Sequence, residues 1–353
     1  MVELMFGWFP AGTMTIARAL FLVRNWRDIL TELRLCAGSD YAAEAPAFHA
    51  PDRERLRGAY IEWPSAHAYR LVNEWVDSIR VGLSKHVPVR ISKTPAASSG
   101  EEAVPLIFHL ITDGKSYPIA VDYCDYMDRI YDEAASSCAL YFKMQYRRGG
   151  YPETPYDAKI LPGGYINGHA HAYKYLKAFR GEPGVKAYRT DVYGRFGLTF
   201  QREIRQKCFQ LLSQQKYFRF EGSLVKVRYF RFLHECAEAR ICIDMPSNSD
   251  FCFRLTDYLA LGCCVVGPKH RTRFPVELED RKNIVYVERD LSDLVETCRY
   301  YLDHDSEREA IGANARLYFD RYLHRESLAA YYLNECFARA AGMAAAGAGS
   351  ERR

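Results

Sequence analysis

Apolar residues along the chain fall into short runs of strand length, separated by stretches with helical spacing. Residues 106–111 and 119–121 are two such runs around an Asp113-Gly114 turn signal. Residues 139–144 and 159–161 are two more. Met127, Ile130 and Tyr131 mark a helix between them, and Tyr173, Leu176 and Phe179 are spaced for a helix that also carries His169. The alternation restarts after Gly181, Pro183 and Gly184. Strands are predicted within 185–192, at 217–220, 241–243 and 284–287, and from Val265. Helices are predicted over 204–212, 229–239, 253–261, 291–301, 306–321 and 325–340. Two rounds of strand–helix alternation predict an α/β protein with two parallel-rich sheets.

The first hundred residues carry a weaker pattern. Residues 24–35 read as an amphipathic helix with Trp26, Ile29, Leu30 and Leu33 on one face. Residues 38–58 read as loop, a helix follows from about Ser65, residues 87–91 read as a strand, and 94–102 as a polar linker. The boundaries expected are 1–100 for a helical or irregular extension, 101–182 for a first domain and 183–325 for a second. A closing helix over 326–341 and a disordered tail over 342–353 complete the division.

Residues 241–268 organise the second half: a buried strand, a polar loop (Pro246 to Asp250), a short helix, a glycine stop and another strand. Ser249 or Asp250 is placed to cap the helix, and Gly262 to end it in the left-handed conformation. A loop at a strand's carboxyl end that opens a helix is where open α/β sheets bind ligands. The free N–H groups of that helix suit a phosphate. Arg254 and Asp257, three residues apart, share one side of the helix. They suit a nucleotide diphosphate and a sugar hydroxyl, or else form a surface ion pair.

The pattern Phe253-Arg254-Leu255-x-Asp257-Tyr258-Leu259-Ala260-Leu261-Gly262-x-x-Val265-Val266 resembles the donor-site helix of group 1 glycosyltransferases of the GT-B fold, in the spore-maturation-type branch. The resemblance covers about residues 185–340. The family usually has Glu at the position of Asp257 and a second acidic residue at that of Ser249. The resemblance implies two Rossmann-like domains facing each other across a cleft, with closing helices packed back on the first. It implies transfer of a sugar from a nucleotide-sugar co-substrate to a hydroxyl acceptor, with no separate cofactor and no required metal. On this reading Gly194, Arg195, Ser249, Arg254 and Asp257 bind the donor.

Other candidates follow from position. Arg195 sits where a strand gives way to a helix and binds a phosphate or is solvated; Arg202 and Arg205 are nearby understudies for that phosphate, read first as a solvated helix face. Asp122 and Asp125 follow a strand, and one is a candidate general base; Asp125 also suits a helix cap. His169 is a candidate acid or base, or a structural histidine. Lys143, Arg147 and Arg148 among Tyr141, Phe142 and Tyr146 form a basic aromatic patch, or a strand end with solvated charges.

Composition narrows this reading. A net charge of +4 does not call for nucleic acid, but is compatible with an anionic substrate and weakly with a membrane surface. Eleven cysteines at irregular spacing favour free thiols in a reducing, cytoplasmic setting over a disulfide frame, and do not form a zinc motif. The apolar start, interrupted by Glu3, Pro10 and Arg18, is a poor signal peptide and a poor membrane span, and packs on the protein or touches a membrane edge. Two rivals to the transferase stand. One is a non-catalytic carbohydrate- or nucleotide-binding module. The other is a dehydrogenase, disfavoured by the missing three-glycine fingerprint.

Overall fold

The computed structural model describes residues 26, 29–65, 73–92, 105–164, 169, 171–180, 187–225 and 227–350. The predicted domain boundary at 181–184 and the linker at 94–102 lie outside them. In the first half, helix α1 (29–36) leads to β1 (Tyr60–Trp63), α2 (Asn73–Leu83), β2 (Val89–Ile91), β3 (Leu106–Thr112) and β4 (Lys115–Asp122). Then come α3 (Asp132–Ser137), β5 (Leu140–Lys143), β6 (Ile160–Pro162) and α4 (Ala172–Phe179). The six strands form one sheet in the order β2-β1-β3-β4-β5-β6. Strands β4, β5 and β6 are parallel, and β3 joins β4 as an antiparallel hairpin. Asp113 and Gly114 both take positive φ, 50° and 71°, which gives the mirror-image turn that suits strand twist.

Residues 60–63 and 89–91 are therefore not part of an irregular extension: β1 and β2 are strands of the first sheet. Strand β1 escaped the sequence reading because four residues, Tyr60 to Trp63, are too few to show alternation. Two further corrections concern helices. The helix expected at Met127 begins only at Asp132. In α1, Ile29 is buried but Trp26, Leu30 and Leu33 are exposed, so the helix packs by another face than its apolar spacing indicated.

The second half runs β7 (Thr190–Arg195), α5 (Arg202–Gln214), β8 (Phe220–Ser223), α6 (Tyr229–Ala237) and β9 (Ala239–Ile243). It continues through α7 (Phe253–Leu261), β10 (Cys264–Pro268), β11 (Val285–Val287), α8 (Leu294–Asp303) and α9 (Asp305–Tyr318). Its five strands are all parallel, ordered β11-β10-β9-β7-β8. Side-chain alternation splits the core. Ile241, Ile243 and Val266 face α5 and α8. Cys242 and Val265 face α6 and α7, in a core that continues into the first domain through Phe108, Leu110 and Ile119. Gly262, at φ 69°, ends α7 as its sequence predicts.

A wide turn (Phe319–Leu323) leads into α10 (Arg325–Ser350), which crosses back to the first domain. The hydroxyl of Tyr331 donates to the Pro162 carbonyl at 3.1 Å, that of Tyr332 to the Gly163 carbonyl at 2.6 Å, and Tyr332 stacks on Phe142. Residues 342–350, expected as tail, continue this helix. The crossover is pinned by a buried bidentate pair, Arg180 to Asp320 at 2.7 and 3.0 Å. Beside it His324 is buried among Tyr41, Tyr173 and Arg325.

Burial above all, with the charges of Arg325 and Arg180, lowers the His324 pKa from 6.5 to about 3. A folded-state pKa below the unfolded one means that the unfolded chain takes up the proton first. Stability is therefore full above pH 6.5 and falls as pH drops towards 3. Urea unfolding at pH 7 and pH 5 should show His324→Gln losing about 2 kcal/mol less between the two than the parent chain does. Equal losses would contradict the assignment.

Candidate functional site

The strand order of the second sheet reverses between β7 and β9, so a crevice opens at their carboxyl ends. Two guanidinium groups meet there. Arg205, 3% exposed, donates from Nε to the Pro246 carbonyl at 3.0 Å and from Nη1 to the Gly197 carbonyl at 2.6 Å. Arg254, half-buried at the start of α7, donates from Nη2 to the Met245 carbonyl at 3.1 Å. Its buried Nε has no partner among the described residues. The partners of both are carbonyls, and among the described residues no carboxylate forms an ion pair with either. Burial first, and the charge of Arg254 second, lower the Arg205 pKa. Helix α7 has no side-chain cap: its N-cap is Cys252. Two cations and a helix tip thus converge with no carboxylate in ion-pair contact among the described residues, although the charge of Asp244 bears on both arginines.

The first domain holds the loop that carries this arrangement. Gln145, fully buried beyond β5, pairs its carboxamide with the Phe251 backbone: Nε2 donates to the carbonyl at 2.9 Å and Oε1 accepts from the N–H at 3.2 Å. Asp125 accepts from Gln145 Nε2 at 2.9 Å, lies 2.9 Å from the Ser247 hydroxyl, and accepts from the Asn248 N–H at 3.3 Å. Burial, partly offset by these bonds, raises its pKa. Ser249 is buried and accepts from the Met127 N–H at 2.7 Å. Trp75 of α2 stacks on Phe253 at 3.6 Å.

The structure sorts the remaining candidates. Asp122, fully buried, accepts from Lys143 Nζ at 2.7 Å, the Tyr141 hydroxyl at 2.6 Å and the Cys124 N–H at 2.6 Å, which is the geometry of an anchor. Arg195 is held by Glu235 at 2.9 Å and by the Tyr193 hydroxyl at 3.2 Å. Its guanidinium is half-buried and already taken up by a carboxylate. Gly194 lies inside β7, where an added Cβ would press on Phe196, Phe220 and Ile243 at 3.1–3.5 Å; its role there is packing.

Arg254 and Asp257 do not pair with each other. Asp257 is buried and accepts from the Tyr229 hydroxyl at 2.8 Å. Tyr229 in turn stacks on His169 at 4.4 Å, so Asp257 and His169 become neighbours through one ring. Burial first, then His171, lowers the His169 pKa to about 4, leaving a neutral imidazole at pH 7.

The basic patch does not exist as such. Lys143 is buried on Asp122, Arg147 pairs with Glu153 and Asp128, and Arg148 pairs with Glu277. Neither Ser249 nor Asp250 caps α7; Asp250 is buried against Arg271 and Arg289. Asp125 caps no helix either, since α3 begins seven residues later at Asp132. Arg205 is the main reversal, because the sequence reading put it on a solvated face. Gln145, Asp244 and His270 were missed, although all three lie within two residues of a strand's carboxyl end. The carboxyl-end rule for open sheets is the signal that finds them.

Among the described residues no three of His, Cys, Asp and Glu converge as metal ligands, and no helix is long and apolar enough to cross a membrane. All eleven cysteines are free thiols. No curated protein matches the chain. Residues 187–334 match a family model described as glycosyl transferase-like. The match spans the second sheet and the turn into α10, including Arg205, Arg254 and Asp257, and supports a role in glycosyl transfer in general. The two Rossmann-like units have the GT-B arrangement, and over residues 187–334 the chain is similar to the glycosyl transferase-like family.

Proposed function

We propose that the protein is a glycosyltransferase that takes its sugar from a nucleoside-diphosphate sugar and passes it to a hydroxyl acceptor. One observation carries this reading: Arg205 is buried and Arg254 half-buried at the β7/β9 crevice, with carbonyl partners and no carboxylate in ion-pair contact among the described residues. A charge withdrawn from water needs a counter-ion, and here the natural one is a diphosphate. As the glycosidic bond breaks, negative charge grows on the leaving diphosphate. Guanidinium groups already in place stabilise it without reorganisation and without a bound metal.

Asp125 is the candidate base on the acceptor side. It is the carboxylate at the junction that keeps part of its surface exposed, and its raised pKa favours proton acceptance. Neutral His169, stacked on the Tyr229 ring that reaches Asp257, is a candidate second polar contact for the sugar. The free thiols fit a reducing compartment such as the cytoplasm. A second reading, binding without turnover, draws on the engagement of Asp257 by Tyr229.

Thermal shift with UDP-, GDP-, CDP- and dTDP-sugars should raise the melting temperature for a cognate donor, as mass action requires. Arg254→Ala should weaken that donor about 10- to 100-fold. A shift that survives the substitution would remove the diphosphate from this crevice, and binding without any product would favour the second reading.

Asp125→Asn should lower kcat about 100-fold or more while leaving donor affinity nearly unchanged. In the parent protein the rate should fall with decreasing pH through a value above 3.8, the ordinary Asp value, because the base works only when ionised. A rate that stays flat down to pH 4, or an active Asp125→Asn protein, would exclude Asp125.

A further inference from the structure

A second cleft of about 640 Å³ opens at the carboxyl ends of β10 and β11, next to the arginine crevice. His270 and Tyr286 both line it. Behind them lies Asp244, 1% exposed at the end of β9. Its backbone is drawn against Gly267, where an added Cβ would collide with the Asp244 carbonyl. The three side chains form a line: Asp244 Oδ2 lies 3.1 Å from His270 Nε2, and His270 Nδ1 lies 3.3 Å from the Tyr286 hydroxyl. His270 is also wedged edge-on against Phe251, the residue that Gln145 grips. Asp244 adjoins Met245, whose carbonyl accepts from Arg254, so the line starts beside the arginine crevice and ends in the cleft.

Hydrogen-bond chemistry fixes the direction of this line. A carboxylate only accepts, so Nε2 of His270 donates to Asp244, and in the neutral ring Nδ1 then presents a lone pair. Tyr286 is protonated, because burial raises its pKa. Its O–H therefore donates to Nδ1, and the phenol oxygen is left as an acceptor on the cleft side.

We propose that the Asp244–His270–Tyr286 line holds the Tyr286 oxygen as the acceptor for a hydroxyl of the donor, on either the ribose or the transferred sugar. This rests on the nucleotide-sugar reading above. Tyr286 is the specificity-determining residue; His270 and Asp244 are positioning residues. The line rewards a ligand that offers a hydroxyl at this point and penalises its deoxy form, which leaves the phenol oxygen unpaired.

The test uses the full chain and its Tyr286→Phe and Arg254→Ala variants. The probes are UDP, UDP-glucose, GDP, GDP-mannose, dTDP-glucose and the 2′- and 3′-deoxy forms of UDP and GDP, titrated calorimetrically. Tyr286→Phe should weaken the cognate ligand about tenfold and leave one deoxy or sugar-free partner unaffected. A loss that disappears with the ribo-to-deoxy change assigns the ribose; one that appears only when the sugar is present assigns the hexose. No loss, or the same loss for every probe, overturns the inference while leaving Arg254 and the diphosphate standing. If Arg254→Ala leaves binding intact, or no probe binds the parent protein, the underlying reading falls and this inference with it. Nitrogen-15 shifts of the His270 ring at neutral pH supply a ligand-free check: a protonated Nε2 and a bare Nδ1 are expected, and the opposite tautomer overturns the assignment.

Discussion

The loop between β9 and α7 depends on a single carboxamide. Gln145 belongs to the first domain, yet it pairs with both backbone groups of Phe251 in the second, as one strand residue pairs with its neighbour. Replacing it with an apolar residue would strip the buried Phe251 N–H of this acceptor and leave its carbonyl to the Ser247 hydroxyl, 2.6 Å away, and a protein interior tolerates a lost buried hydrogen bond poorly. With Phe251 held, Asp125 can reach Ser247 and Asn248, Ser249 can receive the Met127 N–H, and Arg254 leaves the helix start in a defined direction. The junction sets the shape of the crevice before any substrate arrives.

Electrostatics then separates structural charges from functional ones. Asp122 with Lys143, Arg180 with Asp320 and Arg195 with Glu235 are satisfied pairs; removing one partner would strand the other, and their place is in the scaffold. Arg205 shares the burial of these groups and Arg254 part of it, but neither forms an ion pair with a carboxylate among the described residues, and the charge of Arg254 disfavours that of Arg205. Their backbone carbonyl partners hold the side chains in position without neutralising them. That combination preorganises a site for charge that comes and goes with a substrate.

Much of this was legible in the residues of 241–268, because strand, loop, helix and glycine stop are short-range features. Helix α7 and its Gly262 cap came out as read, and so did the Asp113-Gly114 turn. Side-chain partners were not legible, since they are set by residues distant in sequence. Arg195 ends β7 and Arg205 lies in the α5 that follows it, and spacing cannot tell that Glu235, 40 residues on from Arg195, would claim the first and leave the second without an ion pair. Asp122 and Asp125 look alike in sequence; Lys143 and Tyr141 take up the one, and the junction keeps the other near the crevice. The departures at Ser249 and Asp257 from the acidic pattern also find a physical account. Ser249 receives a backbone N–H from the first domain, and Asp257 is reached by Tyr229.

The most direct test of a preformed diphosphate site is a crystal structure of the chain with its nucleoside diphosphate bound. Phosphate oxygens should lie within hydrogen-bond distance of Arg254 Nε and the Arg205 guanidinium, at the α7 tip, with the Gln145–Phe251 pairing unchanged. Phosphates seated on Arg195, or outside the β7/β9 crevice altogether, would contradict the account.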